Sequence, residues 1–398
     1  MASLFAAVEM APRDPIFGLI EQFNADPNPA KVNLGIGVYT DENGKLPLLK
    51  CVAEAERQLQ ETPKPRGYLP MDGIAAYDKA VQALVFGASS SVVAEGRVAT
   101  IQALGGTGGL KVGADFLRHL NPRAKVLISD PSWENHRGLF AEAGFEVSAY
   151  PYYDATRRGI DFDAMLAALD SSEAGTIVVL HACCHNPTGY DLSPQQWRQV
   201  IETVKVRQLV AFLDMAYQGF GEGLSEDGAV IGQCLEAGID FFVSTSFSKS
   251  FSLYGERVGA LNVVCASKDD ASRVLSQLKG VIRTNYSNPP THGAQVVAHV
   301  LATPALRAQW EDELAGMRSR IKQMRSLMVA SLRTAGIHSM GHITQQKGMF
   351  SYSGLERDQM LRLRKEFGIY GLDSGRICLA AVNQHNIAAV VKAIAAVC

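Results

Sequence analysis

Val98-Ala99-Thr100-Ile101-Gln102-Ala103-Leu104 runs straight into Gly105-Gly106-Thr107-Gly108-Gly109, and a helical pattern follows near Leu110–Leu120. The first seven residues are mostly apolar or β-branched, as a strand buried on both faces requires. The same alternation recurs downstream. Ala124–Ile128 reads as a strand, His136–Ala143 as a helix, and Glu146–Tyr150 and Ile177–His181 as strands. Ser193-Pro194 opens another helix, with serine as the cap and proline in the first turn. Leu209–Leu213 and Phe241–Thr245 are further strands, and Val258–Val264 reads as an edge strand. Buried strands separated by helix-length segments predict an α/β fold, a mostly parallel sheet wrapped by helices.

After about residue 303 the pattern changes. A long amphipathic helix from Pro304 to about Ala335 precedes short strand-like pieces at Gly348–Tyr352 and Arg376–Leu379, then a terminal helix. The expected organisation is a large domain over 46–302 and a smaller α+β domain over 303–398. The N-terminal segment, 1–45, is expected to join the small domain.

Bulk composition narrows the function. With 38 basic against 40 acidic residues and no basic stripe, nucleic acid is not an expected partner. The chain is 47% apolar, yet no run approaches the length of a membrane span. Met1–Val8 lacks a basic start and its apolar stretch ends at Glu9, so it reads as an ordinary N-terminus. Seven cysteines without regular spacing fit a reduced, cytoplasmic compartment. The patch His181-Ala182-Cys183-Cys184-His185 lacks the second ligand pair of a zinc site, so buried cysteines are expected there and no metal.

Ligands of such sheets bind beyond the carboxyl ends of the strands. Thr107, Trp133, Asn186, Asp214 and Lys249 each follow or close a predicted strand, which argues for one composite site. Lys249 lies in Ser246-Phe247-Ser248-Lys249-Ser250-Phe251-Ser252-Leu253-Tyr254-Gly255-Glu256-Arg257. A semi-buried, cation-flanked lysine has a lowered pKa and a free amine that condenses with an aldehyde. The adjacent hydroxyls and Arg257 suit a phosphate, and a phosphate-bearing aldehyde describes pyridoxal phosphate.

The other signals carry two readings each. Asp214, in Asp214-Met215-Ala216-Tyr217, is either a partner for a pyridinium nitrogen or a strand-end cap; Tyr217 would donate to the same ring's phenolate oxygen. Asn186-Pro187-Thr188-Gly189 is a plain turn or a source of a ring hydrogen bond. Gly105–Gly109 makes a plausible phosphate cradle. It is neither a Walker A loop nor a dinucleotide fingerprint, because no Gly-Lys-Ser/Thr ends it and Lys111 occupies the third glycine position. Arg283 and Arg376 are carboxylate clamps or ordinary ion-paired arginines. Trp133 stacks on a flat ring or belongs to the core, and His136 orients Asp214 or is simply a satisfied polar residue. Ser246-Phe247-Ser248-Lys249 also fits the S-x-x-K tetrad of serine acyl-enzymes, although the companion S-D-N and K-T-G motifs do not occur.

In combination, Gly105-Gly106-Thr107, Trp133, Asn186-Pro187-Thr188-Gly189, Asp214-x-x-Tyr217, Ser246-x-x-Lys249, Arg257 and Arg376 resemble the class I aminotransferases of pyridoxal phosphate (PLP) fold type I. The resemblance spans Asp14-Pro15-Ile16 and Asn33-Leu34-Gly35-Ile36-Gly37-Val38-Tyr39 through Gly375-Arg376, and is nearest the bacterial aspartate and aromatic-amino-acid branch. It implies that Lys249 holds PLP as an internal aldimine and shuttles the Cα proton. Asp214 would hold the ring-nitrogen proton, and Asn186 and Tyr217 would bond the ring oxygen. Gly106, Thr107, Ser246 and Arg257 would bind phosphate, with Tyr68 contributed by a neighbouring subunit. Trp133 would stack on the ring, with Gly37, Trp133 and Asn186 also at the substrate. Arg376 would grip the α-carboxylate, and Arg283, again from the neighbour, a distal carboxylate. A homodimer with shared sites follows, acting on amino acids and 2-oxo acids such as 2-oxoglutarate in ping-pong order. Tyr68-Leu69-Pro70-Met71, Ser129–His136 and Ser250–Arg257 look like the aromatic branch, whereas Val38, Thr107 and Asn288 look like the aspartate branch. The expected activity is aromatic-amino-acid transamination (tyrosine and phenylalanine, with tryptophan a further candidate) with dicarboxylate activity retained; an aspartate aminotransferase is the alternative.

Overall fold

In the computed structural model, which describes residues 3–63 and 65–398, seven strands form one sheet. Met1 and Ala2, part of the stretch read as an ordinary N-terminus, lie outside the described residues, as does Lys64. In chain order the strands are β1 (Val98–Leu104), β2 (Lys125–Asp130), β3 (Glu146–Pro151), β4 (Ile177–His181), β5 (Val210–Met215), β6 (Phe241–Ser246) and β7 (Val258–Val264). Their order across the sheet is β1-β7-β6-β5-β4-β2-β3. The β2–β3, β2–β4, β4–β5 and β5–β6 pairs are parallel, and β7 is antiparallel to both of its neighbours.

That order corrects one expectation. Val258–Val264 is not an edge strand, because β1 pairs along its outer side from Val258↔Leu104 to Val264↔Val98. Every residue of β7 is buried as a result. The edges are β1 and β3.

Side chains alternate between two separate cores, as the period of a strand demands. Ile177, Val179, Phe212, Phe242 and Leu261 pack on one face. Val178, Leu180, Ala211, Leu213, Val243 and Ala260 pack on the other. Because both faces are covered there, the central strands read as largely apolar runs, and that makes them legible.

The glycine stretch departs from its expected place in a loop. Gly105–Gly109 does not precede the helix; it is the start of α1 (Gly105–Leu120). Glycine is a poor helix former, so propensity points to a loop. Contact with the sheet decides otherwise: a Cβ on Gly109 would stand 2.5 Å from Ser244 Oγ. Further on, α2 (Glu134–Glu142) follows β2, and α3 (Pro194–Val206) opens with the expected serine cap, completed into a capping box by Gln196. Then come α4 (Lys268–Asn285) and α5 (Pro304–Thr334).

In the C-terminal part, Phe350–Tyr352 pairs antiparallel with Arg376–Cys378, and the chain ends in a helix, Ile387–Val397. Val32–Asn33 pairs in parallel with Ile369–Tyr370, which brings the N-terminal segment alongside. Glu313 of α5 accepts the backbone N–H groups of Lys50 and Cys51 at 2.7 and 3.0 Å, tying the helix at Lys50–Glu61 to the long one. Among the described residues, no helix is long and apolar enough to cross a membrane.

Candidate active site

Beyond the carboxyl ends of β1, β2, β4, β5 and β6 lies a cavity of about 390 Å³. Eleven of the residues singled out in the sequence line it: Gly37, Gly106, Thr107, Trp133, Asn186, Asp214, Tyr217, Ser246, Lys249, Arg257 and Arg376. The sheet explains the convergence, since parallel strands end on one side and their following loops share one rim.

One end of the cavity is built for an anion. The first N–H groups of α1 have no partner within their helix, and its positive end faces the cavity at Gly106 and Thr107. Arg257 is pressed against this helix start, so closely that a Cβ on Gly105 would overlap its guanidinium. Its Nη1 donates to Ser248 Oγ at 3.2 Å and to the Tyr254 carbonyl at 2.9 Å. Ser246 Oγ accepts the Ser248 N–H at 3.3 Å and closes the cradle.

Lys249 projects beside it, its Nζ 4.9 Å from the centre of the Tyr217 ring. Burial lowers its pKa to about 8, with Arg257 and Arg376 adding to the effect and Asp214 opposing it. The amine is therefore partly neutral near physiological pH. Burial pushes the Tyr217 phenol the other way, upward, so it stays protonated and can donate.

Asp214, 6% exposed, sits one residue before the end of β5. His136 on α2 meets it, Nε2 to Oδ2 at 3.0 Å, while His136 Nδ1 reaches Ser132 Oγ at 2.9 Å. Burial raises the Asp214 carboxyl, but its hydrogen bond and charge interaction with His136, together with the charges of His181 and Lys249, outweigh this and hold it below its usual value. It is ionised at neutral pH. Of the two readings of His136, the geometry has it orienting Asp214.

At the other end Arg376 is 1% exposed. Nη1 donates to Asn186 Oδ1 at 3.0 Å, Nη2 to the Gly35 carbonyl at 2.7 Å, and the guanidinium lies 4.2 Å from the centre of the Phe350 ring. Its Nε is buried without a partner. An arginine so buried with no carboxylate beside it is costly, and a ligand carboxylate relieves that cost.

Tyr68 and Arg283 stand apart from this cavity. Tyr68 is 95% exposed, and Arg283 is exposed with Nη1 on Ser287 Oγ at 2.5 Å. Several lining residues are given no site role by the sequence reading: Ile16, Phe17, Ile36, Ser248, Tyr254, Phe350 and His181, with Val38 read only as a mark of the aspartate branch. His181 carries a signal there only as part of the cysteine patch. In the fold it pairs in register with Asp214 on the next strand, and both its ring nitrogens are buried and unpartnered.

Among the described residues, two sets of three buried side chains each hold their ligand atoms within 4.8 Å of one another: His136 with His181 and Asp214, and Cys183 with Cys184 and Asp227. In the first, both His136 nitrogens are engaged as described. In the second, Asp227 accepts three backbone N–H groups, from Gly219, Gly221 and Glu222.

The site thus combines an anion cradle, a lysine with a lowered pKa, a buried carboxylate and a buried arginine open to a carboxylate. The chain belongs to the aminotransferases of class I and II, whose family pattern matches residues 29–394. The serine acyl-enzyme alternative falls with that membership. The chain is 58% identical to an aspartate aminotransferase of Pseudomonas aeruginosa, over 98% of this chain and 99% of that protein. It is 51% identical to an aromatic-amino-acid aminotransferase of Escherichia coli, over 99% and 100%. A crystal structure of the aromatic-amino-acid aminotransferase from Burkholderia pseudomallei, covalently bound to pyridoxal phosphate, superimposes with a TM-score of 0.97. Identity is 64%, with all of both chains covered.

Proposed function

We propose that the protein is a PLP-dependent aminotransferase acting on aromatic amino acids with 2-oxoglutarate, and that it keeps activity toward aspartate and glutamate. One observation supports the aromatic preference: Ile16, Phe17, Ile36 and Val38 form an apolar part of the cavity lining, which suits a phenyl ring. The 58% identity to an aspartate aminotransferase keeps the dicarboxylate reading as the second one.

The residues present fit the cofactor. The cradle would take its phosphate, Trp133 would stack on its ring, Asp214 would pair with its ring nitrogen, and Asn186 and Tyr217 would bond its ring oxygen. When bound, PLP supplies the aldehyde and an electron-withdrawing ring. Arg376 holds the substrate by its α-carboxylate, and Lys249 Nζ removes the Cα proton. Asp214, held by His136, keeps a positive charge favourable at the ring nitrogen. Neither Lys249 nor Arg376 needs a metal for these roles, and none is proposed.

Tyr68 and Arg283 act from a neighbouring subunit in this reading, which makes the working unit a homodimer. The division into 1–45, 46–302 and 303–398 and a cytoplasmic location are proposed with it; seven free cysteines, six of them buried, fit a reducing compartment.

Initial rates with phenylalanine, tyrosine, tryptophan and aspartate, each with 2-oxoglutarate, test the preference. Turnover confined to aspartate would replace it with the second reading. Arg283→Leu should lower kcat/KM for aspartate about 10²-fold while leaving phenylalanine within about threefold. Equal losses on the two substrates would remove the distal-carboxylate role.

A pH dependence also follows. Protein stripped of cofactor should capture PLP faster as pH rises and level off above about 8, because only neutral Lys249 attacks an aldehyde. Deprotonation of the amine sets the sign, and burial brings the midpoint down to about 8. A flat profile from pH 6 to 9 in stopped-flow absorbance would contradict it.

A further inference from the structure

Tyr68 and Arg283 occupy different parts of the chain, yet their segments are fastened to one another. Gln102, in the middle of edge strand β1 and 2% exposed, is the fastener. Its side-chain Nε2 donates to the Pro290 carbonyl at 2.6 Å, beyond the end of α4. Its Oε1 accepts the Ile74 N–H at 3.3 Å, and its backbone N–H donates to the Asp72 carbonyl at 2.8 Å. Both ends of one buried amide are therefore spent, one on the Arg283–Pro290 stretch and the other on the Tyr68–Ile74 stretch. A second link runs in parallel: Asp72 pairs with Lys279, one helical turn before Arg283 on α4, at 2.9 Å.

We propose that Gln102 is a positioning residue which, with the Asp72–Lys279 pair, presents Tyr68 and Arg283 to the partner subunit as one rigid unit. This rests on the reading of Tyr68 and Arg283 as acting across a dimer interface. Cofactor retention through Tyr68 and distal-carboxylate selectivity through Arg283 are then coupled. Loosening the fastener alters both, in the neighbour's site and not in its own. Positioning errors of about 1 Å cost up to about 10²-fold in rate, so small shifts are measurable.

Hybrid dimers give the test. One subunit carries Lys249→Ala and a separate affinity tag, so the single competent site is served by segments of that inactive subunit. Gln102→Leu on the Lys249→Ala subunit should raise KM for aspartate about tenfold and leave KM for phenylalanine within about twofold. It should also hasten PLP loss on dilution. The same change on the Lys249-bearing subunit should leave all three unaltered. Lys279→Met, at a partly exposed pair, should reproduce the pattern and carries the test if Gln102→Leu does not fold. Effects that follow the Lys249-bearing subunit, or that are equal for the two substrates, would overturn the proposal. Arg283→Leu in the same two placements separates the causes. If it acts across subunits while Gln102→Leu and Lys279→Met do not, the coupling alone fails. If it acts within its own subunit, the shared site fails and the coupling with it.

Discussion

Lys249→Ala is expected to reduce kcat by at least about 10⁴-fold with every amino-acid substrate, because covalent anchoring and proton transfer reside in one amine. The cavity has no substitute: Lys249 is the single lysine among the described lining residues. Alanine leaves the surrounding packing largely intact, since the side chain projects into the cavity beside Tyr217. The protein should therefore remain folded by circular dichroism. Borohydride reduction followed by peptide mass mapping should find a pyridoxyl group on Lys249 of the wild type and on no residue of the variant. Added small amines should restore little activity unless they reach the buried end of the cavity. Near-normal turnover by the variant would end the assignment of Lys249.

Asp214→Ala should lower kcat by about 10²–10³-fold, the size of effect seen when a preorganised charge is removed from a buried site. Affinity for PLP should fall less, because the phosphate cradle of α1, Ser246 and Arg257 is untouched. The variant also leaves His136 Nε2 without its 3.0 Å partner, in a side chain with no exposure. Asp214→Asn separates the two effects, restoring a hydrogen bond without the charge. If charge is what matters, the asparagine variant stays slow; if hydrogen bonding alone matters, it recovers. Exchange of the substrate Cα proton with deuterated solvent reports the affected step directly. Full kcat in Asp214→Ala would show that no buried anion is needed.

Much of the molecule is legible in the sequence because its strands are covered on both faces. Ile177–Leu180 and Phe241–Val243 appear as uninterrupted apolar runs, and the polar residues that close or follow such runs are where a parallel sheet concentrates its chemistry. Lys249, Asp214 and Asn186 stand out on that ground alone. Sequence and fold disagree where a distant contact overrides a local preference. Five residues rich in glycine, 105–109, look like a loop until Ser244 is seen against Gly109. Val258–Val264 looks like an edge until Val98–Leu104 is found pairing along it. His181 merges into a cysteine patch because its neighbour in space, Asp214, is on another strand.

Residue chemistry and short-range spacing nominate the groups the proposed reaction would use: an amine that condenses with an aldehyde, a carboxylate for a ring nitrogen, a guanidinium for a carboxylate. Those properties belong to side chains and travel with them. Which groups meet, and how buried they are, comes from folding. Asn186 and Arg376 stand 3.0 Å apart across a separation of 190 residues. Gln102 joins two segments that no local pattern connects. Geometry and desolvation depend on contacts between distant parts of the chain, and both shift a pKa or aim a donor far more than adjacent residues do.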